Sequence, residues 1–358
     1  MSKDRDIEKD FLKRMCNAHG ISGAEDELGD IVAEQFNPLV DEIRRDAMGN
    51  VIMLKRGNED EAPSVMLAAH MDEIGLAVTK IEDEGFIRFT AVGGIDPRNL
   101  LAKEVVVLGR KELLGIIGVK PPHLISSDER GKAIKREDMF IDVGLDAETV
   151  RQKVRVGDLI AFDRSTHDLV GDRIAGKAMD DRAGVAALYT AARRLNRLRH
   201  KTDVYFVATV QEEVGLRGAI TSTYGITPDI GVAVDVGTAS MPGVPKEGSL
   251  DVRKGPGIGR GANVHPQIYE KLVSVAEDER IPKQTSIIPG RSGTDAWAMQ
   301  VTKAGVPTAV VSIPLRYMHT SVELLSWQDI KNTADLLAGF CGCIDGEFVE
   351  GFYHENTS

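Results

Sequence analysis

The chain has 358 residues, 42% of them hydrophobic and 28% charged, with a formal net charge of −11. That length is long for one core and suggests two domains. The acidic balance argues against nucleic acid or an anionic membrane surface as a partner, and no apolar run of ~18 residues exists to span a membrane. The polar start, Met1–Asp6, lacks the apolar core of a secretion signal. Cys16, Cys341 and Cys343 are too sparse for a disulfide framework, which points to a reducing, cytoplasmic home.

In chain order, residues 5–18 carry helical periodicity that stops at Gly20, and a second helix is predicted over 24–36. Strand patterns follow at 51–55 and 64–70. The character then changes. From about 74 to 165 short β-like runs alternate with turns: Gly75–Lys80, Phe86–Val92, Val105–Leu108, Leu114–Val119, Met139–Val143 and Asp158–Phe162. One short helix, 147–153, interrupts them, so the segment reads as a small β-rich domain. Its hydrophilic stretch 121–137 reads as a mobile loop. From about 170, helices are predicted at 180–197, 216–224, 266–280, 293–303 and 326–344, and strands at 204–211, 230–235 and 307–313. The runs Val204–Val210 and Ile230–Val234 are nearly continuous apolar stretches. They suit a central sheet with helices on both faces. The basic stretch Arg193–His200 closes a helix, where cations favour the C-terminal dipole. Cys341 and Cys343 read as helix positions, although a C-x-C pair can bind metal in principle.

Charged residues end these apolar runs. His70, with Asp72 and Glu73 behind it, follows Ser64–Ala69; Glu212 and Glu213 follow Val204–Gln211; Asp235 follows Ile230–Val234. Asp180 and Asp181 open a helix, and His319 follows the last strand. Strand C-terminal ends in an open α/β sheet face the crevice where substrates bind. An acid ending a buried strand costs free energy unless it is paired or metal-bound. Two histidines with several carboxylates form the ligand mixture of a site for two divalent metals, as in a hydrolase. Consecutive Glu212 and Glu213 point different ways at a strand end, so one can bind metal while the other faces substrate as a base. Asp72, on the same strand face as His70, is placed to fix the tautomer of that imidazole. For His70 and Asp180 to meet, the β-rich segment between them must be an insertion. The predicted division is therefore 1–73 and 166–358 for the catalytic domain and 74–165 for the insertion.

Two loops are candidate pocket walls. Gly255–Asn263 is Gly-rich but lacks the Gly-Lys-Ser/Thr of a phosphate loop, and it reads as a flexible connection between strand and helix. Gly290–Asp295 opens a helix that Thr294 or Asp295 would cap. Arg260, Arg291 and Lys246 are candidates to pair with an acidic substrate side chain, although each also suits a plain surface role.

The motifs Ala69-His70-Met71-Asp72-Glu73, Gly176-Lys177-Ala178-Met179-Asp180-Asp181-Arg182, Gln211-Glu212-Glu213-Val214-Gly215, Asp235-Val236 and Met318-His319 occur in this order over nearly the whole chain. Together they resemble the M42 family of metallo-aminopeptidases. This group includes the tetrahedral (TET) and glutamyl aminopeptidases, and some relatives have been labelled endoglucanases. The resemblance implies an α/β fold: a central mixed sheet flanked by helices, as in zinc peptidases, with an inserted PDZ-like β domain that makes dimer contacts. It implies two divalent ions per subunit, zinc or cobalt. His70, Asp180 and Asp235 would hold one ion, and Asp180, Glu213 and His319 the other. Glu212 would be the general base and acid, and Asp72 the orienting carboxylate. It further implies peptide substrates and dimers assembled into a hollow tetrahedral dodecamer. A metal-dependent deacylase is hard to separate from an aminopeptidase on sequence. An endoglucanase-type glycosidase, working with two carboxylates and no metal, leaves both histidines unexplained. A non-catalytic relative would be expected to have lost a ligand or the base.

Overall fold

Apolar strands without a polar face need cover on both sides, and helices supply it here. The computed structural model describes residues 2–59, 61–124 and 132–354. Its N-terminal part contains α1 (Ser2–Asn17), α2 (Asp26–Phe36), β1 (Glu42–Arg45), β2 (Val51–Lys55) and β3 (Ser64–His70). Next come β4 (Gly75–Ile81), β5 (Ile87–Val92), β6 (Glu104–Leu108), β7 (Glu112–Val119), β8 (Met139–Asp142), α3 (Ala147–Lys153) and β9 (Leu159–Phe162). The chain continues through β10 (His167–Leu169), β11 (Arg173–Gly176), α4 (Met179–Leu195), β12 (Asp203–Thr209), α5 (Arg217–Ile226) and β13 (Ile230–Thr238). It ends with β14 (Gly257–Gly261), α6 (Pro266–Asp278), β15 (Gln284–Ile288), α7 (Asp295–Gln300), β16 (Thr308–Leu315), β17 (Glu323–Ser326), α8 (Trp327–Gly342) and α9 (Gly346–His354).

The main sheet has eight strands in the order β1-β2-β12-β3-β13-β16-β14-β15. It is mixed. β12, β3, β13 and β16 run parallel, whereas β2 and β14 pair antiparallel with their inner neighbours. Every residue of β16 is buried. Successive side chains of a strand point to opposite faces, so both faces of the sheet are covered. Helix α4 packs on the centre with the small residues Ala183, Gly184, Ala186, Ala187 and Ala191, all buried. The parallel register sets Thr209 beside His70, so the ends of β3 and β12 finish together.

Strands β4, β5, β8, β7, β6 and β9 close into a separate antiparallel barrel. It has its own hydrophobic cluster, including Leu76, Val78, Val105, Ile117, Ile141 and Ile160. In sequence the barrel lies between His70 and Asp180, as the insertion argument requires. The part of the predicted loop at 125–131 lies outside the described residues. The helix predicted at 293–303 is the shorter α7, and Thr294 caps it by accepting from the Ala296 amide.

The Gly-rich stretch expected to be a flexible loop contains a strand. β14 pairs parallel with β15 and antiparallel with β16. Its glycines admit close neighbours, because a Cβ at Gly259 would lie 2.9 Å from an Ile288 methyl and 3.1 Å from Val310. Glycine removes the side-chain pattern by which a strand is read. Strands β1, β10, β11, β15 and β17 also escaped the sequence reading, being short or alternating in burial. No described helix is long and apolar enough to cross a membrane.

Where β3 gives way to the barrel, a buried ion cluster pins the chain. Glu73 accepts from Lys177 Nζ at 2.7 Å and 2.8 Å and from Arg182 at 3.1 Å. Arg182 also donates to the Met71 and Ala18 carbonyls at 3.1 Å and 2.9 Å. Burial alone would raise the Glu73 carboxyl, but the two cations outweigh it and hold it below the usual carboxylate range. The cluster joins the end of β3, the end of α1 and the start of α4. Glu73→Ala leaves two buried cations without their anion, and the expected loss is about 3–5 kcal/mol of unfolding free energy. Denaturant titration measures it, and a loss under ~1 kcal/mol would show that the cluster does not clamp the fold.

Candidate active site

The irregular chain ends around the sheet carry the charged residues. Asp180 opens α4 in an extended conformation (φ −77°, ψ 106°). Gln211, just after β12, and His319, after β16, both have positive φ, 55° and 58°. For residues other than glycine this costs about 1–3 kcal/mol each. The turns gather the charged side chains in one place. His70, Asp180, Glu212, Glu213, Asp235 and His319 all line a single cavity of about 680 Å³. The histidine and carboxylate candidates for metal ligands and base therefore face the same space.

Asp180 lies at its centre. Its Oδ1 is 3.1 Å from His70 Nε2 and its Oδ2 is 3.4 Å from His319 Nε2. His319 Nε2 also lies 3.3 Å from Glu213 Oε1. Ligand atoms of His70, Asp180 and Glu213 fall within 4.8 Å of one another, and so do those of His70, Asp181 and Asp235. Asp181, read from the sequence as opening a helix with Asp180, accepts from the Gly184 amide at 3.0 Å. Its other oxygen is buried without a hydrogen-bond partner. The Glu212 carboxylate stands 3.9 Å from His70 Nε2, beside the ligand candidates.

Asp72 backs this arrangement from below and is fully buried. His70 Nδ1 lies 3.2 Å from its carbonyl and 3.5 Å from its carboxylate. The carboxylate also accepts from the Glu212 amide at 3.0 Å, the Glu213 amide at 3.3 Å and the Ser22 hydroxyl at 2.6 Å. Asp72 thus lies against the imidazole and also accepts from the amides of the turn that presents both glutamates.

The electrostatics express an excess of negative charge. Burial pushes the Glu212 carboxyl up to about 10; His70 opposes this, and Asp235 and Asp295 add to it. Burial likewise raises Asp235, helped by Asp180, and Asp181, helped by Asp235, far above the usual carboxylate range. His319 rises to about 11 through its hydrogen bonds to Asp180 and Glu213. Burial disfavours charge on His70, yet its bonds to Asp180 and Asp72 hold it well above its ordinary value. Positive charge is what such a cluster demands. Oxygen and imidazole donors around it, with the partnerless Asp181 oxygen, fit a divalent metal ion.

Of the three basic candidates, Arg291 lines the cavity and stacks on Trp297, 5.3 Å from its ring centre. Arg260 and Lys246 are not among the lining residues, and Arg260 lies over Tyr269. Cys341 is buried in the core and Cys343 follows α8; neither belongs to a metal-suited group among the described residues. The sequence reading took Asp295 only as a possible helix cap, whereas it is buried and accepts from the Thr209 hydroxyl at 2.6 Å. It missed Glu323, the one acid in β17, whose only signal was a carboxylate inside a short apolar run.

Comparison with known proteins gives a consistent picture. Residues 49–336 match the family model of the M42 glutamyl aminopeptidases. The chain is 37% identical to a lysyl aminopeptidase of Pyrococcus furiosus, over 92% of this chain and 95% of that one. It superposes on an aminopeptidase of the archaeon Desulfurococcus kamchatkensis with a TM-score of 0.92 and 39% identity, covering 99% of each. It also superposes on the Pyrococcus horikoshii TET1 peptidase, described as assembling into a tetrahedron or a large octahedral shell, with a TM-score of 0.83 and 32% identity, over 94% of this chain and 100% of that one.

Asp72→Asn keeps the shape of the support but loses its charge and an acceptor. Divalent-ion affinity should fall ~10–100-fold, the usual cost of losing a support behind a metal-binding imidazole. Calorimetric titration of zinc into the metal-free protein measures this, and wild-type affinity in the variant would rule the support out.

Proposed function

The chain belongs to the M42 glutamyl aminopeptidase family and is an aminopeptidase, and we propose that it removes N-terminal residues from peptides using two divalent ions per chain, zinc or cobalt. His70, Asp180 and Asp235 would hold one ion, and Asp180, Glu213 and His319 the other. The observation that carries this reading is the placement of Asp180, whose two carboxylate oxygens face two different histidines at 3.1 Å and 3.4 Å. When bound, such ions lower the pKa of water and polarise a carbonyl.

The remaining work falls to the chain's own groups. Positive charge in the cluster would return Glu212 to its carboxylate form. It then takes one proton from the attacking water, whose oxygen bonds to the carbonyl carbon, and delivers it to the leaving amide nitrogen. The peptide C–N bond breaks and the second proton leaves the new acid for the amine, giving a carboxylate and an ammonium. Asp72 holds Glu212 through its backbone amide and holds the His70 ring. The acidic cavity also suits the positive α-amine of a substrate. A glycosidase would leave His70 and His319 without a role.

The segment 74–165 would form the dimerisation unit, with dimers joining in a tetrahedral dodecamer. Support comes from the TET1 relative and from Leu114 and Ile116 on β7, apolar side chains 70% and 57% exposed. The free cysteines agree with a reducing cytoplasm as its location.

A panel of aminoacyl-p-nitroanilides with acidic, aliphatic, aromatic and basic residues tests the reaction, with added zinc or cobalt and again after chelation. The expected result is metal-dependent release from one residue class. No release from any free-amine substrate, with metal verified in the protein, would favour a deacylase instead. Glu212→Gln should retain its metal yet lose turnover by ~10²–10⁴-fold. Near-normal turnover in that variant would remove Glu212 from the proton transfer.

A further inference from the structure

We infer that Glu323 is a positioning residue that holds Asp180 and His319 in register for the ion they share. This role rests on the two-ion reading above. Glu323 is 2% exposed and does not line the cavity. Its Oε2 accepts from the Asp180 amide at 3.1 Å and its Oε1 from the His319 amide at 2.9 Å. One carboxylate therefore spans the backbones of both residues, whose side chains approach to 3.4 Å.

Both residues need such a partner. Asp180 lies outside helical geometry at the head of α4, and His319 has a positive φ of 58°. Neither amide is engaged in a regular helix or strand, and a buried N–H without an acceptor is costly. The sheet itself places the acceptor. β17 pairs antiparallel with β11, setting Glu323 opposite Gly176, just before the turn into Asp180. Leu324 bridges to Arg316, just before His319. The strand that carries Glu323 is thus fixed to the segments leading into both residues, and its side chain closes the remaining gap.

The test compares wild type with Glu323→Gln by zinc titration calorimetry of the metal-free proteins, thermal melting and steady-state kinetics. A glutamine offers one acceptor and turns an N–H₂ toward the other amide. The expected outcome is a folded variant in which one zinc site, the one Asp180 shares with His319, loses ~10–100-fold in affinity and the other loses less. Its kcat should fall at limiting zinc and recover as zinc is raised, with KM little altered. A purely structural role would lower the melting temperature and leave both zinc affinities alone, which overturns the inference. Should Glu323→Gln not fold, Glu323→Asp, one methylene shorter, gives the same readouts. A wild-type chain that binds a single ion would remove the two-ion reading and this role with it. Two ions held equally tightly in wild type and variant would remove this role alone.

Discussion

Mutual repulsion among buried carboxylates is the constraint on which this molecule depends. Asp180, Asp181, Asp235, Glu212 and Glu213 crowd one end of the sheet, most of them shielded from water. Such a group is tolerable only if positive charge enters it or protons neutralise it. The raised titration of Asp235 and Glu212, and the charged form favoured at His319, are two faces of the same imbalance. Much of the surrounding structure can be understood as holding acids where they would not stay unaided.

The supports are layered. Asp72 collects the amides of Glu212 and Glu213 and the hydroxyl of Ser22. One residue further along, Glu73 is locked between Lys177 and Arg182. Adjacent residues on one turn thus face opposite duties, one steadying the chemistry and the other anchoring the chain as it departs for the barrel. The small side chains of α4 let that helix approach the sheet closely, bringing Asp180 to the strand ends.

Much of the site was legible in the sequence because its energetics leave a mark there. A His or Asp at the end of Ser64–Ala69 or Ile230–Val234 contradicts the burial of the run before it, and that contradiction is readable without coordinates. The supports left weaker marks. Glu323 acts through backbone amides far away in sequence, so no spacing rule connects it to Asp180. β14 was invisible because Gly257 and Gly259 carry no side chain whose polarity could alternate. In the small three-stranded sheet, the edge strand β10 and the central strand β11 show little apolar pattern, since β10 is exposed throughout and β11 only alternates. Asp295 looked like part of a helix opening. Its burial against Thr209 depends on how β12 and α7 meet, a tertiary fact.

The residues around the cavity are scattered from His70 to His319, most of them from the second half of the chain. The wide separation matters during synthesis. A ribosome releases the chain from its N-terminus, so His70 and Asp180 emerge long before His319 and the strand that steadies it. Until that last segment is out, the cluster lacks one of its two imidazoles and cannot close. An unfinished chain therefore carries the crowded acids without the imidazole that faces Asp180 and Glu213, and their repulsion is relieved only when the last strands arrive.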